Sequence, residues 1–412
     1  MSDPRLKPLD VKTFNSLETF LLENHEETEN ESQIGDFLTI SIRRRKKVIT
    51  AKNYVGLIAM NDGTTVEILP KLDDHDEAET AKIFSKMLTT LQDMPFKSFN
   101  NANVDYDRIS LFEVFIRMFL AEVEKLVKRG LKSGYVYYEA NQRFMKGRLD
   151  FNRQIKENLT HKERFFVGYD EFEANRPENK LIKSTLLYVK KLIHNNRNLQ
   201  ECRKCLAAFA DIDPSSNYGK DFAQCVAGRN MAEYEPALKW CRVFLQNRSF
   251  TTFHGDSVAF ALLFPMELVF ESYVANRIIC GLDREKYTVH VQDKRYWLFD
   301  DPRKFSLRPD IVVINNETNE AVVLDTKWKK LSPQYQNYGI AQSDMYQMYV
   351  YHRKYSAKRV IMIYPYSRSV GNLESLVNYR ATEPENVHVK ALFYDLTNDG
   401  QSLSGIKEAI NA

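Results

Sequence analysis

Two β-branched runs, Ile311–Ile314 and Ala321–Leu324, flank the polar stretch Asn315–Asn319, a pattern that predicts a β-hairpin. Strand alternation places Asp325 and Lys327 on one face and Thr326 on the other. Asp310, which enters the first strand after Pro309, is expected beside Asp325. Helical spacing predicts a helix from Pro265 to Val274, with Leu268, Glu271 and Ser272 sharing a face. A strand follows at Tyr287–Val291, then the hairpin, then a helix over Ile340–Tyr355 in which Gln347 and Tyr351, four apart, stack on one side. Strands Arg359–Tyr364 and His388–Tyr394 and a closing helix Gly405–Ile410 complete a mixed α/β order.

The preceding chain reads as two further segments, which divides the whole into 1–95, 96–250 and 251–412. The first opens with a short helix, Phe14–Leu22, and an acidic loop, Glu23–Glu31. It then turns to strands at Phe37–Ile42, Val48–Thr50, Tyr54–Met60 and Thr64–Leu69, with Asn61-Asp62-Gly63 as a hairpin turn, so a small β-domain is expected. The successive cations Arg43–Lys47 suit phosphates or simply a soluble strand edge. In the second segment a long apolar helix over Asp105–Lys128 ends at Gly130. The runs Tyr135–Tyr138 and Arg143–Phe151 predict a projecting hairpin finger rich in Lys132, Arg143, Lys146 and Arg148, followed by helices at Asn179–Ala210 and Tyr234–Asn247.

Composition narrows the class. The 412 residues, 43% of them hydrophobic, can bury substantial cores, and 58 basic against 55 acidic residues leave a net charge of only +3. Nucleic-acid binding must therefore rest on local patches. The most apolar run, Val258–Phe270, is short and contains Pro265 and Glu267, which excludes a membrane span there. The N-terminus MSDPRLKPLD lacks a signal-peptide apolar region, so a cytoplasmic location is expected. Five cysteines do not suggest a disulfide framework, and Cys202-x-x-Cys205 has no second pair to complete a zinc site, which makes buried thiols the better account. No Gly-x-x-x-x-Gly-Lys-Ser/Thr loop occurs, so the chain is not expected to bind a nucleotide on its own.

Two carboxylates with one ammonium have a direct chemical use. Mg²⁺ takes oxygen ligands, keeps several waters and is commonly held by one or two carboxylates plus substrate phosphate. A nearby lysine can then orient or deprotonate water and offset charge on a phosphodiester. The bland alternative is a solvated strand edge and a Pro-Asp turn opener. Glu271 on its helix is a third acid, with Glu267 as its alternate. Trp328 and Lys329 either line an approach to the site or, for Trp328, pack on the sheet.

The order of a Glu-bearing helix, Pro309-Asp310, Asp325-Thr326-Lys327 and Gln347-x-x-x-Tyr351 resembles the PD-(D/E)XK nuclease core. Further segments, Phe144–Leu149, Tyr169–Phe172, Asn179–Lys183, Met266–Val274, Val323–Lys327 and Ile363–Pro365, resemble the McrC family, the nuclease subunit of McrBC restriction systems. The likeness runs from about residue 100 to the end, and Gly56 with Glu67–Lys71 resembles the N-terminal β-unit of longer relatives. It implies a Mg²⁺-dependent DNA endonuclease, with Mn²⁺ a possible substitute, acting on double-stranded DNA and docked on a McrB-type AAA+ GTPase hexamer. It also implies that Asp310, Asp325 and Glu271 hold metal, that Lys327 activates water, that Gln347 and Tyr351 position the substrate strand, and that the finger cations dock the partner. Two other classes stay open: a noncatalytic adaptor that only stimulates the NTPase, and a stand-alone RecB-like repair nuclease.

Overall fold

In a computed structural model of the chain, residues 9–23, 38–43, 45–60, 65–72, 76–91, 110–225, 232–246, 258–370, 377–381 and 387–411 are described. The acidic loop beyond Glu23 and the Asn61–Gly63 turn lie outside them. At the N-terminus, α1 (Val11–Glu23) precedes an antiparallel pair, β1 (Leu38–Arg43) with β2 (Lys46–Ala51), and a second pair, β3 (Tyr54–Met60) with β4 (Thr65–Ile68). Gly56 is required in β3, because a Cβ there would lie 1.9 Å from the carbonyl oxygen of Leu262. Helix α2 (Glu77–Leu88) starts where Asp76 accepts a hydrogen bond from the Glu79 N–H.

The middle of the chain forms a unit of its own, residues 109–253. Its centre is α3 (Leu111–Arg129), capped by Ser110, ended by Gly130 at φ 87 and buried along most of its length. Next come β5 (Gly134–Gln142), β6 (Arg148–Leu149), α4 (Phe151–Asn158) and β7 (Phe165–Glu173). The finger is not the hairpin that the sequence suggests. β5 pairs along its whole length with β7, and the two-residue β6 takes the other edge of β7, giving the order β5-β7-β6. The reason is local: Asp150 caps α4, so the segment expected to run on as a strand to Phe151 turns helical.

Helices α5 (Pro177–Lys190), α6 (Asn196–Ala208), α7 (Tyr218–Gln224) and α8 (Glu235–Gln246) complete this unit. The single helix expected from Asn179 to Ala210 is broken where Asn195 accepts from the N–H groups of Arg197 and Asn198 and restarts the helix as α6. Cys202 and Cys205 are buried in α6, and burial pushes their thiols up to about 11 and about 12 respectively.

From β8 (Val258–Pro265) onward the chain rejoins its N-terminus, and residues 1–108 form one compact unit with 254–412. The first and third segments, expected apart, group together because β3 pairs with β8 from Tyr54 opposite Pro265 to Met60 opposite Val258. Pro265 leads directly into α9 (Met266–Gly281). The Val258–Phe270 run is thus split between a strand and a helix, and among the described residues no helix is long and apolar enough to cross a membrane.

The principal sheet comprises β9 (Tyr287–Val291), β12 (Ile311–Asn315), β13 (Ala321–Thr326), β14 (Ala357–Pro365), β16 (Val387–Tyr394) and β15 (Asn378–Ala381), in that spatial order. A separate pair, β10 (Trp297–Asp300) and β11 (Arg303–Ser306), stands between β9 and β12 in the chain. β13, β14 and β16 run parallel, whereas β9, β12 and β15 pair antiparallel to their neighbours. The crossover from β13 to β14 is α10 (Gln342–Lys354), whose Met348 and Tyr351 join Val312, Val323, Val360 and Met362 in one buried core. α9 and the final helix α11 (Asp399–Asn411) pack against β13 and β16. The β-branched runs are the strands between which this burial occurs, and this fixes their register.

Candidate active site

The register that pairs Ile311 with Leu324 sets Asp310 opposite Asp325 one step further on, so the two acids meet at one end of the β12–β13 pair. Asp310 is held by its neighbour on the other strand: its Oδ2 accepts from both the N–H and the hydroxyl of Thr326, each at 2.7 Å. Thr326 therefore does not turn away from the acids. β13 ends at this residue, so strict alternation no longer governs its hydroxyl.

Lys327 is anchored by its N–H to the carbonyl of Ile363 at 2.9 Å. Its ammonium lies 2.6 Å from Asp325 Oδ2, an ion pair outside regular hydrogen-bond alignment, with the carboxylate 2% and the lysine side chain 19% exposed. It donates to Gln347 Oε1 at 3.2 Å, and Gln347 in turn donates to the Tyr351 hydroxyl at 2.8 Å. Gln347 thus touches the site, and the buried Tyr351 is hydrogen-bonded to Gln347 behind it.

α9 supplies the third acid. Glu267 accepts from the side chain of Asn53 at 3.3 Å, while Glu271 accepts from Gln292, whose amide nitrogen also lies 3.5 Å from Asp310 Oδ1. The geometry therefore selects Glu271 over Glu267. The helix face differs from the expected one, since Leu268 is 46% exposed and Val269, Phe270, Tyr273 and Val274 are buried. Trp328 packs on Phe270, ring centroids 5.3 Å apart, and Lys329 pairs with Asp344 at 2.8 Å.

Gln292 is not marked in the sequence. It follows β9 at φ 53, its N–H bonds the Asp310 carbonyl at 2.8 Å, and its amide bridges two carboxylates from different elements. No local motif points to it; the signal is a polar residue just after a half-buried edge strand.

The electrostatics show what this assembly costs. Burial first, then the charge of Asp310, pushes Glu271 up to about 7 against the hydrogen bond from Gln292. Burial and Asp310 likewise push Asp325 up to about 7, although Lys327 pulls it down. Asp310 is also raised, because burial outweighs its Thr326 hydrogen bonds. Burial is the strongest single influence on Lys327 and lowers it, but pairing with Asp325 and the charges of Asp310 and Asp344 together outweigh it and leave the ammonium above its ordinary range. Among the described residues no three His, Cys, Asp or Glu side chains form a ready metal cage. The donors that do meet, on Asp310 and Asp325, are hard carboxylate oxygens, the kind that Mg²⁺ takes.

The four finger cations differ in their surroundings. Lys132 lies over the ring of Tyr234, 5.5 Å from its centroid, and its N–H bonds the Tyr234 hydroxyl at 2.9 Å. Lys146 lies over Tyr169 at 4.3 Å and pairs with Glu171 at 3.2 Å. Arg143 and Arg148 are exposed.

The sequence profile of the family described as McrBC 5-methylcytosine restriction system component matches residues 49–365. Among solved structures, a chain of the refined half-complex from a tetradecameric assembly of Thermococcus gammatolerans McrB AAA+ hexamers with bound McrC is 18% identical, with a TM-score of 0.64 over 96% of this chain and 93% of that one. A chain of the Thermococcus gammatolerans McrBC complex is 19% identical, with a TM-score of 0.47 over 67% of this chain and 82% of that one. No curated protein matches. The first structure shares the fold, and the profile match spans the acids, the lysine and Gln347 with Tyr351: the chain belongs to the McrBC 5-methylcytosine restriction system component family.

Proposed function

We propose that this protein is the DNA endonuclease subunit of a McrBC-type restriction complex, with a PD-(D/E)XK core that cleaves phosphodiester bonds in the presence of Mg²⁺. The observation that carries the reading is the meeting of Asp310, Asp325 and Lys327 at one end of the principal sheet, with Glu271 joined to them through Gln292. A solvated strand edge does not account for an acid 2% exposed. Buried like charges of this kind are expensive to keep without a cation to offset them.

Asp310, Asp325 and Glu271 would hold Mg²⁺, with Mn²⁺ as a substitute. A bound divalent cation supplies charge neutralisation at the phosphate and acidifies water. Thr326 fixes the orientation of Asp310, and Gln347 fixes the ammonium of Lys327 against the phosphate that enters. Held protonated by Asp325, Lys327 suits the stabilisation of negative charge developing on the phosphate. Tyr351 orients Gln347 and so acts on the substrate strand indirectly.

The similar assembly in which McrC is bound to McrB AAA+ hexamers supports a McrB-type AAA+ partner; the GTPase activity of that partner and duplex DNA as substrate are part of the same proposal. The exposed surface of residues 143–148 in the middle unit, with Arg143 and Arg148, is the docking surface we assign. The test is DNA cleavage by the reconstituted complex in Mg²⁺. Asp325→Ala and Lys327→Ala are expected to reduce cutting at least a thousandfold, about 4 kcal/mol in transition-state stabilisation, without loss of the folded state. Wild-type cutting by either variant would refute the assignment and favour an adaptor that only stimulates its partner.

A further inference from the structure

The β10–β11 hairpin plays no part in the site described above, yet it stands on the same supports. Leu307 N–H closes it onto the Tyr296 carbonyl at 2.9 Å. The Tyr296 ring packs 4.7 Å from that of Tyr355, which packs 6.3 Å from Tyr351 on the helix that carries Gln347. Beyond the hairpin the chain passes through Arg308 directly into Asp310. Its position is therefore tied to both the helix and the strand that build the candidate site.

Its exposed surface is aromatic and cationic. Phe299 and Phe305 are 56% and 72% exposed, with their rings edge to face at 6.1 Å. Phe305 has φ 58, a backbone conformation natural to glycine or asparagine and disfavoured for a bulky ring. A ring kept in water at a strained position contributes nothing to the core, and residues of this sort gather at binding sites. Arg303 lies over Trp297 at 4.9 Å, and Lys304 sits directly across the pair from Phe299. The charge of Asp300 is taken up by Lys354 at 2.8 Å. Cations on a backbone track with aromatic faces between them are the chemistry that binds nucleic acid.

We propose that the β10–β11 hairpin is a DNA-contacting element, which sets Arg303 and Lys304 on the phosphate backbone and the rings of Phe299 and Phe305 against the sugars and bases of the strand entering the carboxylate site. The inference rests on the nuclease reading, because the strand it guides is the one to be cut. Two double variants test it in the full chain, with Ca²⁺ in place of Mg²⁺ so that a labelled duplex stays whole during an anisotropy titration over a range of salt. Arg303→Ser with Lys304→Ser is expected to weaken binding and to flatten the dependence of log affinity on log salt by about 1.8, roughly 0.9 for each phosphate no longer neutralised. Phe299→Ser with Phe305→Asn is expected to weaken binding about tenfold at unchanged slope. The asparagine at position 305 should leave the melting temperature the same or higher, a combination that a merely structural ring would not give.

The second measurement identifies the occupant. With p-benzoylphenylalanine in place of Phe305, irradiation of the reconstituted complex with DNA is expected to give an adduct to a DNA strand. An adduct to the partner protein alone, or wild-type binding by both double variants, would overturn the proposal. Hairpin-dependent DNA binding by a complex that never cuts would instead overturn the nuclease reading and leave the hairpin's role standing.

Discussion

Glu271 is held by the fold in a state that disfavours its charge, and this gives two predictions at the scale of the residue. A carboxyl raised to about 7 binds a proton in the folded state that it has already released in the unfolded chain between the ordinary glutamate range and pH 7. Stability therefore falls as pH rises through that window, and the cost is fully present above about 7. Glu271→Gln removes the charge and keeps the shape. It should stabilise the metal-free protein by about 1–2 kcal/mol at pH 8 and have no effect near pH 4. Thermal unfolding at the two pH values checks this, and equal melting temperatures for variant and wild type at pH 8 would remove the basis for an electrostatically costly site.

Glu271 and Asp325 must both be ionised to hold a cation, so cleavage at limiting Mg²⁺ should drop steeply as pH falls through about 7. Excess Mg²⁺ competes with the protons and should move the profile to lower pH; a profile unmoved by metal concentration would contradict metal binding by these acids. At this scale the acids and Lys327 were legible in the sequence because a hairpin register and a two-residue alternation are local rules. Gln292 and Thr326 were not, since one depends on a φ of 53 at a strand end and the other on where the strand stops.

Among the elements, the three-stranded sheet of the middle unit explains a motif that had only a family likeness to recommend it. Gly147, within Phe144–Leu149, has φ 72, and a Cβ there would lie 2.5 Å from both the Gly168 carbonyl oxygen and the Tyr169 Cβ. Only glycine allows this backbone to close over β7. Gly147→Ala should cost about 2–3 kcal/mol, detected as a lower denaturation midpoint, and should detach β6 while the helices of the unit persist by circular dichroism. An unchanged midpoint would show that the close approach relaxes without cost. The sequence suggested a hairpin here because β5 and β6 are neighbours in the chain. The strand that pairs with both arrives later, after α4, and strand pattern alone carries no record of such a partner. The N-terminal strands present the same difficulty: their alternation was legible, but the union of β3 with β8 joins segments far apart in the chain, Tyr54 with Pro265.

Over the whole molecule, the candidate nuclease residues belong to the unit built from both ends of the chain, and the residues proposed for docking to the unit of residues 109–253. The docking variant alters exposed side chains and the site variant a carboxylate of the other unit, so the two activities should separate by mutation. Arg143 is exposed, and beside it Phe144 and Met145 are 60% and 63% exposed, an apolar and cationic surface suited to a protein partner. Arg143→Glu combined with Phe144→Ser is expected to lower partner-stimulated GTP hydrolysis at least tenfold at saturating concentration, and partner-dependent cleavage with it. Asp325→Ala is expected to abolish cleavage and to leave the stimulation within about twofold of wild type, because the coupling is a property of the contact and not of the carboxylate site. Steady-state GTP turnover and DNA cutting, measured on the same reconstituted samples, distinguish the cases. Full stimulation by the Arg143 and Phe144 variant would move docking to another surface, and loss of stimulation in Asp325→Ala would mean that the two units act as one.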